Sequence, residues 1–93
     1  MIRSFGSKET ERIWQGRSSR ALPANIQERA LRKLRQLDAA ATLDDLRNPP
    51  GNRLEALHGD RAGDFSIRIS EQWRICFGWA AGDAVDVEIV DYH

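Results

Sequence analysis

Two periods of hydrophobic recurrence divide the chain, helical up to about residue 41 and two-residue beyond about residue 53. In the first part Ile26, Ala30, Leu34, Leu37 and Ala41 fall on one stripe, which predicts a helix over residues 25–40. Asn25 followed by Glu28 has the spacing of a capping box for its start. Arg29, Arg32, Lys33 and Arg35 take the other faces, so the helix packs one stripe and shows a cationic flank. A shorter helix is predicted over residues 8–15, capped by Ser7 and stopped at Gly16, after a first strand in MIRSF. Thr42 and Asp45 can cap one further turn through Leu46, after which NPPGN removes two backbone donors and breaks any helix.

The two-residue period reads as a meander of strands. RLEAL is a short strand and GDRAG a turn; DFSIRIS, WRICFGWA and AVDVEIV each alternate apolar with polar or small residues. Helices first and strands afterwards imply an α+β fold, a short N-terminal strand and two helices packed on one face of an antiparallel β-sheet, in a single domain spanning residues 1–93. For the odd-numbered apolar residues to share that face, each connecting loop must hold an odd number of residues, because a one-residue slip turns a strand over. Three-residue loops at Ser70-Glu71-Gln72 and Ala81-Gly82-Asp83 satisfy this. They set Phe65 opposite Phe77, Ile67 opposite Ile75, Trp79 opposite Val85 and Ile75 opposite Ile89. Trp73 and Trp79 share the parity of the core, and Trp14 joins them under the helices.

On the opposite face the same register sets Arg68 directly across from Arg74, and like charges facing each other destabilise a sheet. Either Glu88, diagonal to Arg74, and solvent offset them, or an anion sits there. Arg74 also lies opposite Val90, which brings the terminal Tyr92 and His93 within its reach.

Composition narrows the function classes. The net formal charge is zero, which argues against a generic polyanion binder, yet residues 1–37 hold nine Lys/Arg against three Asp/Glu, and the remainder five against eleven. That asymmetry is the mark of a charged partner or of a solvated helix face. The longest apolar runs are a few residues and the first fourteen residues lack the apolar core of a signal peptide, so the expected compartment is the cytoplasm, with no membrane partner. The one cysteine, Cys76, reads as strand filler, and two histidines with one cysteine make no metal set.

Two guanidiniums, an imidazole, a carboxylate and a phenol suit an RNA phosphodiester. In-line attack by the substrate's own 2′-hydroxyl needs a base for that proton, an acid for the leaving 5′-oxygen and fixed positive charge on the phosphorane oxygens, and no cofactor. His93 titrates near neutral pH, Asp91 can accept or orient a proton, and Arg74 can clamp a phosphate bidentately.

RLEALHGDRAGDFSIRISEQWRICFGW and the terminal VEIVDYH resemble the HigB toxins of the RelE/ParE superfamily, and MIRSF with the helix spacing agrees over essentially the whole chain. The resemblance implies a type II toxin that is a ribosome-dependent mRNA endonuclease entering the A site of the small ribosomal subunit. It also implies silencing by a HigA-type helix-turn-helix antitoxin, through which alone operator DNA is reached. By the same resemblance Asp91 and His93 are proton-transfer and orienting groups with Tyr92 beside them. Arg74 lies on the scissile phosphate, and Arg68, His58, Gln72, Arg61 and Glu55 lie along the RNA. Some members carry histidine where this chain has Glu55, lysine where it has His58 and asparagine where it has Gln72, which implies a weaker toxin. Arg17, Arg20, Arg29, Arg32, Lys33 and Arg35 would face ribosomal RNA, or the antitoxin instead. The alternatives are a non-catalytic binding toxin of the ParE kind, which would have no use for Asp91 and His93, and an inactive adaptor that only engages its antitoxin.

Overall fold

The computed structural model of the chain describes residues 1–91. Ser7 begins the first helix, α1 (Lys8–Trp14), where its hydroxyl accepts from the Thr10 amide at 3.2 Å, and the chain leaves that helix through Gly16 at φ +80°. The second helix, α2 (Ala24–Ala39), buries Ile26, Ala30, Leu34 and Leu37, the stripe read from the sequence. Its start differs from the reading. Pro23 is the cap, Asn25 lies inside the first turn, and no side-chain cap forms. Gln27 ties down the approaching loop instead, donating to the carbonyls of Ser19 at 2.7 Å and Leu22 at 2.8 Å. At the other end Ala40, not Ala41, takes the buried position, because the helix stops at Ala39 and the chain turns extended.

The 3-10 turn Leu43–Arg47 follows, with the Asp45 carboxylate accepting from the Ala41 and Thr42 amides at 2.9 and 3.0 Å. These bonds hold its carboxyl below the usual carboxylate range, the larger part coming from Thr42. The proline-rich stretch closes into one short turn, Pro50–Asn52, entered through a cis Asn48–Pro49 bond.

Four strands then form one antiparallel sheet in chain order: β1 (Glu55–Ala56), β2 (Phe65–Arg68), β3 (Trp73–Ala80) and β4 (Asp83–Asp91). The β2–β3 register is the expected one, pairing Phe65 with Phe77, Ile67 with Ile75 and Arg68 with Arg74. The β3–β4 hairpin is not. Its loop is the two residues Ala81 and Gly82, at φ +53° and +83°, as a primed hairpin turn demands. Trp79 therefore faces Ala84, and Gly78 faces Val85. Ile75 still faces Ile89, because the register shifts by one residue between Cys76 and Gly78, where Asp86 stands at φ +51°. A bulge residue on β4 restores the parity that an even loop would have lost. Without it Glu88 would point where Ile89 does.

The core lies between the helices and one sheet face, with Ile67, Ile69, Ile75, Phe77, Ala84, Val87 and Ile89 against the α2 stripe and Ile13. Each large side chain there contributes roughly 1.5–3 kcal/mol by leaving water. Trp14, Phe65, Trp73 and Trp79 pack half-buried around this cluster. The N-terminal segment bridges β4 in parallel at Ile2–Ala84 and Phe5–Val87, and Thr10 accepts from the Ile89 amide at 2.9 Å. The outer edge of β4 is thus covered. No helix among the described residues is long and apolar enough to cross a membrane.

Candidate functional site

Away from the helices, the strands line up two rows of side chains. Glu55, Ser66, Cys76 and Glu88 oppose one another across all four strands, and Arg68, Arg74 and Val90 form the next row. In this face the loops that precede β2 supply the remaining groups.

Arg74 is the central cation. It is only 6% exposed, and its guanidinium is held from β2 and from the loop before β1: Nε donates to Ser66 Oγ at 2.8 Å, and Nη2 to the Arg53 carbonyl at 2.5 Å. The arginine pair read from the sequence is therefore real in register but unequal in setting. Arg74 is buried among acceptors, while Arg68 stays half-exposed at the end of the ladder. Glu88, one of the two candidate offsets for Arg74, has a partner of its own. It pairs with Arg61 at 3.0 Å, which draws the GDRAG turn over the sheet. That hydrogen bond is the main reason the Arg61 guanidinium keeps its proton even more firmly than usual. Burial pushes the Cys76 thiol up, against smaller opposing effects of Arg61 and Arg74, so Cys76 is filler as read. Glu55 and His58 are exposed on the β1 side of this face, His58 opening the turn Gly59–Arg61.

Asp91 ends β4 opposite Trp73, one rung from the Arg74–Val90 pair. Alternation along the strand directs adjacent rungs to opposite faces, and Asp91 is exposed at the rim of the sheet end. Gln72 holds it there, Nε2 donating at 3.1 Å. Tyr92 and His93, which the reading placed beside Arg74, lie outside the described residues.

Gln72 also lines a cleft of about 630 Å³ between α2 and the β2–β3 turn, together with Arg29, Lys33, Arg68 and Glu71. Arg29 donates to the Ile69 carbonyl at 3.3 Å across it. Burial, and then the nearby Arg32 and Arg29, lower the Lys33 pKa, as expected where cations crowd together. Arg17 and Arg20 lie outside this cleft, in the loop after α1.

Sequence reasoning missed Ser66, Asn52 and the Arg53 carbonyl. Ser66 looked like an ordinary polar position in an alternating strand. The segment around Asn52 carried a signal only for breaking a helix.

Toxin HigB-1 of Vibrio cholerae is 40% identical over 87 residues, covering 92% of each chain. Endoribonuclease HigB of Proteus vulgaris is 33% identical over 93 residues, the full length of both. Among solved structures, the YoeB–YefM complex from Staphylococcus aureus matches with a TM-score of 0.62 at 13% identity, over 100% of this chain and 98% of that one. The YoeB/ParE toxin from Agrobacterium tumefaciens matches with a TM-score of 0.57 at 16% identity, over 99% and 100%. At such identities these two establish the shared RelE/ParE-type fold. The model of the HigB-like toxin family, described as RelE-like toxins of the type II toxin–antitoxin system HigB, matches residues 3–93, and the chain belongs to that family.

Proposed function

We propose that this protein is a toxin that cleaves RNA, a ribosome-dependent, metal-independent mRNA endonuclease held in check by a HigA-type antitoxin. The observation that carries the reading is Arg74, a guanidinium fixed by Ser66 and Arg53 on the sheet face away from the helices. It lies in a chain one-third identical over its full length to a protein named as an endoribonuclease. A buried, pre-oriented cation is what a phosphorane requires, because its charge need not reorganise as the transition state forms.

In this mechanism Arg74 binds the non-bridging oxygens of the scissile phosphate. The 2′-hydroxyl attacks in line, losing its proton to a base, and the 5′-oxygen leaves with a proton from an acid. His93 and Asp91 carry these proton-transfer and orienting roles, with Tyr92 stacking on a neighbouring base. Gln72 keeps the Asp91 carboxylate at the end of the sheet, and Arg61, His58 and Glu55 border the RNA on the β1 side. The strand leaves along the cleft of Arg68, Arg29 and Lys33, whose cations meet RNA phosphates and make association fall with salt. The basic flank of α2 and the loop after α1 face ribosomal RNA. With Glu55 and His58 where other members carry histidine and lysine, turnover is weaker than in those members.

Primer extension on a translated message, with wild type, His93→Ala and Arg74→Lys, tests the reading. Wild type is expected to cut only ribosome-bound message, equally with and without a chelator, and both variants to lose most of that cleavage. If all three leave the same pattern, the assigned site is wrong.

A further inference from the structure

Asn52 is the most unusual side chain outside the proposed chemistry. It sits in an irregular, otherwise exposed connection, yet it is 0% exposed and uses its whole amide. Oδ1 accepts from Lys33 Nζ at 2.5 Å, while Nδ2 donates to Gln36 Oε1 and to the Leu46 carbonyl at 3.2 Å, and to the Asn48 carbonyl at 3.3 Å. An apolar residue would fill the same space at less desolvation cost. What a fully satisfied polar hub supplies is a single position for everything bonded to it. Here it clamps residues 46–52 onto the side of α2.

The next residue is Arg53, at φ +45°, a left-handed conformation that costs a non-glycine residue on the order of 1 kcal/mol. Such strain persists where the surroundings over-determine it. Its carbonyl accepts from Arg74 Nη2 at 2.5 Å. Ser66, also 0% exposed, accepts from Arg74 Nε at 2.8 Å. Two acceptors on separate segments, one on a strand and one on a clamped loop, fix both the plane of the guanidinium and its rotation within that plane.

We infer that Ser66 and Asn52 are positioning residues for RNA cleavage: Ser66 directly, and Asn52 through the Arg53 carbonyl, hold Arg74 at the angle that meets the phosphorane oxygens. The inference rests on the proposed role of Arg74. Lys33 belongs to the same device, since it holds Asn52 while also lining the cationic cleft. Neither Ser66 nor Asn52 needs to touch RNA.

The test is a double-mutant cycle in the ribosome-bound message assay, under conditions that separate kcat from KM, with thermal unfolding measured for every variant. Ser66→Ala removes only a hydroxyl and is expected to fold. It should lower kcat about tenfold or more while leaving KM within about twofold, the signature of a misdirected group and not a lost binding contact. In an Arg74→Lys background, which has no Nε–H to orient, Ser66→Ala should add less than about threefold. Asn52→Ala should lower kcat in the same way where it remains folded. If Ser66→Ala keeps wild-type kcat while Arg74→Lys is impaired, or the two losses simply multiply, the positioning role is overturned and the Arg74 assignment stands. If Arg74→Lys itself is fully active, the site assignment fails and takes the inference with it.

Discussion

Arg74 carries a structural load as well as a proposed chemical one, and the size of that load follows from its contacts. Replacing it with alanine deletes a 6% exposed guanidinium and leaves Ser66 Oγ and the Arg53 carbonyl without the donor that now serves them at 2.8 and 2.5 Å. A buried acceptor left unmade costs roughly 1–3 kcal/mol, so the two together set a loss of about 2–6 kcal/mol. Two effects oppose it: the charge no longer has to be desolvated, and Arg68 no longer faces a like charge, a relief of at most about 1 kcal/mol. The net expectation for Arg74→Ala is a destabilisation of about 2–4 kcal/mol. For a chain of this length that lowers the unfolding midpoint by roughly 10–25 °C. The contrast is Arg68, half-exposed on the same rung, whose replacement by threonine should stay within about 0.5 kcal/mol of wild type. Urea unfolding followed by circular dichroism measures both at constant m. Equal midpoints for Arg74→Ala and wild type would refute the claim that Ser66 and Arg53 hold the guanidinium. The same loss in Arg68→Thr would refute the assignment of the cost to buried acceptors.

Two further expectations concern titrating groups. The hydrogen bond from Arg3, and then that from the N-terminal amine, hold the Asp83 carboxyl below its usual range. A depressed carboxyl stabilises the fold at pH above its unfolded value, about 3.9, and loses that contribution as pH falls through the lower folded value. Unfolding midpoints recorded from about pH 6 down to about pH 2 should therefore show a shallower acid decline in Asp83→Asn than in wild type, and superimposable curves would contradict the clamp. Cys76 is buried with its thiol pushed up, so at neutral pH it should resist iodoacetamide in the native protein and react readily in urea. Rapid native labelling would mean that the sheet face opens.

The helical stripe and the alternating strands were legible because each depends only on which side chains must leave water. Ile26, Ala30, Leu34 and Leu37 admit one helix face, and Phe65, Ile67, Ile75 and Phe77 admit one register between β2 and β3. The pairing of Arg68 with Arg74 came from that register alone. The family was legible too, from GDRAG, QWRICF and DYH together, and the match over residues 3–93 agrees with it.

The β3–β4 hairpin shows the limit of parity. An odd loop, and an even loop with one bulged residue, bury the same Val87 and Ile89, and only the positive φ angles at Ala81, Gly82 and Asp86 separate them. The helix start shows another, since Asn25 with Glu28 had the spacing of a cap, yet the helix begins one residue earlier, after Pro23, with Gln27 tied to the incoming loop. The setting of Arg74 lay furthest from view. The Ser66 and Arg53 acceptors and the Asn52 hub come from segments 8 to 22 residues away, and their meeting depends on how the proline-rich connection folds back against α2. Hydrophobic periodicity along this chain determined which faces are buried. Which polar groups meet on the remaining face was decided by tertiary structure, because a hydrogen bond is directional and short-ranged, and its partners are specified by loop geometry and not by spacing in the sequence.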